Sequence, residues 1–415
     1  MLCGLLMHLL IKFQAVHLTL KTRNLNWKCL QFLMLLTVLC NQCANGCPDR
    51  SNEIVACIDV PDKDLPFERM VIDPSTGRLY VGGVNRLYDL DPVNLHIRHQ
   101  VKTGPVLEPL ITDDGLVNVS TNYHSKALAI YESGAKLIEC HSLDKGKCRW
   151  RNLSNITDEA SIRSSSRHLV SGSETTTSVI FVGRGAANDT LFIASSVPNE
   201  DVENDFPSIA LVSLSNKNAF NLAISAVQSE SQLIVKPNQP YKIEFAGGFS
   251  TDEFSYFAIR PRGISRNENS PYISKLARVC NSDIHTLFGY IEAPLECWHE
   301  NELYNSVQDI YVANASTTLA KQLNCRFNDT VLYAIFTKEN ATGKYGSALC
   351  AYSMQMVQRT LLLNNKQCNT GTISKNAPWF KRETTCVRTA YNTSELTCPN
   401  EVNPLISGEI PIKAE

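Results

Sequence analysis

The chain has 415 residues, of which 43% are hydrophobic, and a formal net charge of only -2. A chain of that size can bury a large core. Its near-neutral mixture of acidic and basic side chains excludes a polyelectrolyte and argues against a nucleic-acid partner.

In chain order, the first 45 residues stand apart. Lys12, Lys21, Arg23 and Lys28 precede the apolar run CLQFLMLLTVLC, and the small polar residues NQCANG follow it. This is the order of a secretory signal cleaved between Cys43 and Cys47, so residues 1–45 read as a leader and 46–415 as one domain. The apolar stretch from Leu30 to Leu39 is too short to cross about 30 Å of hydrocarbon, and no later stretch reaches about 18 apolar residues, so no membrane span is expected.

Residues 68–92, ERMVIDPSTGRLYVGGVNRLYDLDP, read as three strands in succession. Pro74 and Gly77 mark a tight turn between the first two, and Pro92 closes the third. The same grammar returns in SKALAIYESGAKLIEC (125–140), SVIFVGRGAANDTLFIASS (178–196) and YKIEFAGGFSTDEFSYFAIRP (241–261). It continues in ISKLARVC with GYIEAPLEC, and in DTVLYAIFTKEN with SALCAYSM, ending at Met354. Each run is short and nearly continuously apolar, as expected of strands covered on both faces, and the regular recurrence favours radial blades over a two-sheet sandwich. Helical spacing is best in DIYVANASTTLAKQL (309–323) and SMQMVQRTLLL (353–363), which are expected to pack outside or between blades.

Cysteines and sequons point to export. Setting aside Cys3, Cys29, Cys40 and Cys43 leaves eleven cysteines between Cys47 and Cys398, suited to stapled loops in an oxidising compartment; an odd number leaves at least one without a partner in the chain. Asn-x-Ser/Thr acceptors begin at Asn118, Asn152, Asn155, Asn188, Asn314, Asn328, Asn340 and Asn392. The Cys40/Cys43 C-x-x-C lies at the leader's end without a second pair, so it reads neither as redox motif nor as zinc site.

Signals for catalysis are weak throughout. GRGAAN (183–188) has two glycines of a phosphate loop, but a strand follows instead of a helix, so it reads as a hairpin turn. His96 and His99 have no accompanying ligands for a metal. No G-x-S-x-G elbow occurs, and Asp113 with Asp114, or Glu200, Asp201, Glu203 and Asp205, read as solvated loops rather than as a glycosidase acid–base pair. Neither a cofactor nor a metal is expected, and the chain does not read as an enzyme.

VIDPSTGRLYVGGVNRLYDL resembles the first blade of the plexin sema domain, in which a D-P-S-T-G turn leads into a V-G-x-V-N-R-L-Y strand pair. VKTGPVLEP (101–109) is similar to the T-G-P-V-L segment that follows in plexins and in their relatives, the scatter-factor receptor kinases. The resemblance runs from about residue 54 to residue 400. It implies an all-β fold, a seven-bladed β-propeller of the sema type, with residues 46–415 a sema domain lacking its last blades. It also implies disulfides Cys140–Cys148, Cys280–Cys398, Cys297–Cys350 and Cys368–Cys386, adds a local closure between Cys47 and Cys57, and leaves Cys325 over. A cysteine pair that plexins carry after T-G-P-V-L is missing from EPLITDDGLVNVSTNYHS, which puts that loop's conformation in doubt.

The function implied is recognition of semaphorins by protein–protein contact, outside the cell, in axon guidance and cell migration. The full-length parent would cross the membrane once, and a receptor homodimer or a co-receptor could take part. Asp201, Glu203 and Asp205 of the loop PNEDVENDFPS are the residues named for the ligand contact. Alternatives are a semaphorin, a scatter-factor receptor kinase or a secreted decoy. No basic cleavage run lies near residues 297–310, semaphorins typically lack the V-N-R-L-Y form, and the S-x-D-x-G-x-T-W boxes of propeller glycosidases are missing.

Overall fold

The computed structural model describes residues 58, 65–112, 115–185, 189–196, 207–215, 219–220, 225–226, 229–230, 232–234, 241–263, 273–281, 287, 289–338, 346–371, 386–388 and 406–414. They fall into two compact units, divided in sequence between Thr175 and Thr176.

In the first unit, β1 (Phe67–Ile72), β2 (Leu79–Gly83), β3 (Arg86–Leu90) and β4 (Ile97–Lys102) form an antiparallel meander. The β1–β2 turn is tied by Asp73, whose carboxylate accepts from Ser75 N at 3.0 Å and Ser75 Oγ at 2.7 Å. Gly77 closes that turn at φ +72°, a left-handed conformation that a side chain would strain. A hairpin, β5 (Val106–Thr112) and β6 (Gly115–Thr121), occupies the segment that lacks the expected cysteine pair. A second meander follows: β7 (Ser125–Tyr131), β8 (Lys136–His141), β9 (Lys147–Asn152) and the short β10 (Arg163–Ser164). Between the two meanders lie Tyr80, Leu87, Leu128, Leu137, Leu153 and Ile156. The Tyr80 hydroxyl enters that core because it donates to Leu153 O at 2.8 Å.

The second unit opens with β11 (Ser178–Arg184), β12 (Asp189–Ser195) and β13 (Pro207–Ser213), a small ribbon of β14 (Ser225–Ala226) and β15 (Ser229–Glu230), and β16 (Gln232–Ile234), which pairs with β13. Next come β17 (Tyr241–Ser250), β18 (Phe254–Gly263), β19 (Lys275–Cys280) and β20 (Ile291–His299), with β21 (Glu302–Tyr304) turning back on the end of β20. The last meander is β22 (Ser306–Asn314), β23 (Thr330–Thr337) and β24 (Ser347–Ser353). Within this unit the strand that opens each meander packs on the next, β11 against β17 and β17 against β22. Phe192, Ile209, Phe245, Phe257 and Val279 fill one inter-sheet layer, and Phe254, Leu295, Val307, Phe336 and Tyr352 belong to the next. The outer edge of β20 receives β25 (Ile406–Ser407) and β26 (Ile412–Lys413) in parallel.

The helical expectations fared unequally. Residues 309–314 are strand, with Ile310, Tyr311 and Val312 paired to β23, and only α1 (Thr317–Gln322) is helical. β-branched and aromatic residues fit the pleat better than a helix face, and the helix starts where Ser316 Oγ accepts from Leu319 N. The second helix runs further than its apolar spacing indicated, as α2 (Met354–Asn369), because Asn364, Asn365 and Asn369 are buried polar residues on it.

Candidate binding surface

Buried charge is the strongest chemical feature inside the strands. Glu139 on β8 and Arg149 on β9 are direct cross-strand partners, and Arg151 lies two residues further along β9. Arg149 Nε and Arg151 Nε both donate to Glu139 Oε1, the second at 2.6 Å, and the Tyr123 hydroxyl donates to Oε2 at 3.0 Å. Burial alone would raise the Glu139 carboxyl, but the two guanidinium groups hold it below its ordinary value. Burial and then Glu139 push the Tyr123 phenol well up, so it stays a donor. Beside it His141 stacks on Tyr123 and is driven to about 4, by burial first and Arg149 second.

Similar ties recur on other sheets. Arg78 and His99 share the fully buried Asp89, with Arg78 Nε to Oδ1 at 3.0 Å and His99 Nδ1 to Oδ2 at 2.8 Å. Arg260 meets Glu244 at 2.6 Å, and Lys275 meets Glu292 at 2.7 Å. Each tie joins neighbouring segments of one sheet, with Arg78 immediately before β2, and matches a carboxylate that is buried at Asp89 and Glu292 and half-buried at Glu244 to a cation, which is a structural role. His99 of the His96/His99 pair belongs to such a tie. No group of three or more His, Cys, Asp or Glu side chains among the described residues could hold a metal ion.

GRGAAN falls on the β11–β12 hairpin, and residues 186–188 lie outside the described residues. Gly183 serves close packing there, since a Cβ would come within 2.3 Å of Ser250 Oγ.

Of the residues named from the sequence, Cys140 and Cys148 are bonded to each other, as are Cys297 with Cys350 and Cys368 with Cys386. The first bond closes a bend between β8 and β9, the second joins β20 to β24, and the third fixes the end of α2. Cys280 is disulfide-bonded, while Cys398, Cys47 and Cys57 lie outside the described residues. Cys325 sits half-buried beside Tyr333 and Leu323.

Asn118 is on β6; Asn152 and Asn155 follow one another at the end of β9; Asn314 ends β22; Asn328 lies in the turn before β23. Asn188, Asn340 and Asn392 are outside the described residues, as are Asp201, Glu203 and Asp205. The acidic loop springs from between β12 and β13, both almost wholly buried, so its two ends are anchored on paired strands.

The structure also places large apolar side chains in solvent where sequence reasoning named none. Trp298 is 50% exposed at the end of β20, and Phe327 is 66% exposed in the turn after α1. Trp298 was readable: Ile291, Ala293, Leu295 and Cys297 alternate inward, which leaves the even positions, Trp298 among them, on the other face. Exposed aromatic residues of this kind are the usual anchors of protein contacts.

A family model described as "Sema domain" matches residues 307–408. Plexin-A4 of Danio rerio is 25% identical over 90% of this chain, and Plexin-A4 of Mus musculus is 27% identical over 81%. The matched regions amount to 21% and 19% of those proteins, so the chain spans about a fifth of the length of the relatives it matches. Among solved structures, the full extracellular region of Plexin A4 superposes with a TM-score of 0.71 at 24% identity, covering 84% of this chain and 40% of that one. Drosophila Semaphorin 2a superposes with a TM-score of 0.56 at 15% identity, covering 85% of this chain and 58% of that one. The fold is thus that of the sema β-propellers, with the plexin the nearer of these two in shape.

Proposed function

We propose that the chain holds a sema domain of the plexin kind and that it recognises semaphorins by protein–protein contact on the outside of the cell. The reading assigns it to the ligand-binding part of a cell-surface receptor acting in axon guidance and cell migration, with a single membrane crossing in the full-length parent. A receptor homodimer or a co-receptor would add to the assembly without being needed for ligand contact.

The observation that carries the reading is likeness to plexins over nine-tenths of the chain. Likeness to plexins, one of the matched structures being a full extracellular region, supports binding over catalysis. Export is supported by disulfides that join separate elements, of which Cys297–Cys350 spans 53 residues. Among the described residues no helix is long and apolar enough to cross a membrane.

The test uses the whole chain, secreted from animal cells and immobilised through a terminal tag, against a panel of semaphorin ectodomains. Saturable binding to at least one, with a Kd of about micromolar or tighter, is expected. A chain that unfolds cooperatively on heating, and so is folded, but binds no member of the panel would overturn the reading.

A further inference from the structure

Two of the glycan acceptors occupy one place on the surface. Asn314 opens the acceptor Asn314-Ala-Ser316 and Asn328 opens Asn328-Asp-Thr330. Folding brings them together: Asn314 pairs across the β22–β23 ladder with Thr330, and Asn328 N donates to Ala315 O at 3.1 Å. The side chains then meet, with Asn314 Nδ2 donating to Asn328 Oδ1 at 3.3 Å, and both residues are exposed.

The arrangement at the other adjacent acceptors is different. Asn152 Oδ1 accepts from Ser154 N at 3.0 Å and Ser154 Oγ at 2.9 Å, and Asn155 Oδ1 accepts from Thr157 N at 3.0 Å and Thr157 Oγ1 at 2.6 Å. Each of those asparagines turns its oxygen to its own acceptor sequence and leaves its nitrogen without a contact to the other. At 314 and 328 the nitrogen of one amide points at the amide of its neighbour. An N-linked sugar attaches at Nδ2, so the two attachment atoms here lie within the width of a single sugar residue. Exchanging the oxygen and nitrogen of either amide leaves that crowding unchanged.

We propose that folded molecules carry one N-glycan at the Asn314/Asn328 pair, and that occupancy of either acceptor excludes the other. The inference rests on the exported reading given above. Transfer to the nascent chain could load both sites, but a doubly loaded chain would have to separate the two side chains and open the turn that seats Asn328 against Ala315. Such molecules are expected to be depleted from the secreted, folded pool.

The experiment is co-occupancy on single molecules. Cleavage after Glu302 and Glu339 releases residues 303–339, which contain both acceptors and no other. Enzymatic deglycosylation in heavy-oxygen water then marks each occupied asparagine, and mass spectrometry counts none, one or two marks per peptide. One mark should dominate, with two marks at least about tenfold below the product of the separate occupancies, a deficit of about 1.4 kcal/mol. Asn328→Gln, and Thr330→Ala as a variant that keeps the Asn328 amide, should each raise occupancy at Asn314. Two marks at the frequency expected of independent sites would overturn the proposal, as would an empty pair on molecules glycosylated at Asn118, Asn152 or Asn155. No glycan at any of the eight acceptors would instead sink the exported reading, and this proposal with it.

Discussion

His141 ends β8, next to the bonded Cys140, and stacks on Tyr123 with ring centroids 4.8 Å apart. It is 6% exposed, and its Nδ1 has no hydrogen-bond partner. Burial, and then the neighbouring Arg149, lower its pKa from 6.5 to about 4, so the folded protein holds the ring neutral where the unfolded chain would protonate it. The folded value lies below the unfolded one, so this stability is present above about pH 6.5 and is lost as pH falls towards 4, by about 3 kcal/mol in all. Urea midpoints at pH 7 and pH 4.5 should therefore converge in His141→Phe relative to the parent; an equal drop in both would contradict the assignment. Glu139 is the complementary case. Glu139→Gln leaves Arg149 and Arg151 in the interior without their carboxylate, which should cost about 3–5 kcal/mol at neutral pH. A loss under about 1 kcal/mol in the same denaturation series would show that those guanidinium groups reach water.

At the scale of elements, the disulfides differ in how much chain they constrain. Cys297–Cys350 closes 53 residues and joins β20 to β24, whereas Cys140–Cys148 closes 8 across one bend. Loop-closure entropy then makes removal of the longer bond, by paired Ala substitutions, more damaging than removal of the shorter by about 1.7 kcal/mol. Differential scanning calorimetry of the two double variants checks that order, and equal losses would mean that packing rather than chain entropy sets both. The strands themselves were legible from sequence, because runs such as SVIFVGR and DTVLYAIFT are dense in β-branched and aromatic residues and are bounded by turn formers. A finer repeat was not. The opening strands β1, β7, β17 and β22 each carry one register shift, at Phe67/Arg69, Ser125/Ala127, Phe245/Gly247 and Val307/Asp309. These bulges have no common residue pattern, so only pairing reveals them. The Glu139–Arg149–Arg151 tie was hidden for the same reason: in KLIECH every residue from Leu137 to His141 is buried, so no polar alternation marks Glu139, and its partners follow from the β8–β9 register. DIYVAN misled because its apolar spacing fits both a helix and a strand, and β-branching decided it.

At the scale of the whole molecule, the proposed ligand contact turns on the acidic loop between β12 and β13, where Glu200, Asp201, Glu203 and Asp205 fall within a few residues on a chain of net charge -2. Charges at an interface rim act mainly on encounter: they steer the partner over a Debye length of about 8–10 Å and are screened by salt, while the short-range anchors set dissociation. Reversing Asp201, Glu203 and Asp205 to Lys adds two charges at each, moving the net charge from -2 to +4. If the loop faces a basic patch on the semaphorin, the association rate at low salt should fall on the order of tenfold, the gap should close as salt rises towards about 0.5 M, and the dissociation rate should change little. Stopped-flow or biosensor kinetics across a salt series separates these effects. An association rate unchanged at low salt would take the loop off the encounter surface. A large rise in the dissociation rate alone would make the three carboxylates buried anchors, with Trp298 and Phe327 then the next exposed anchors to truncate.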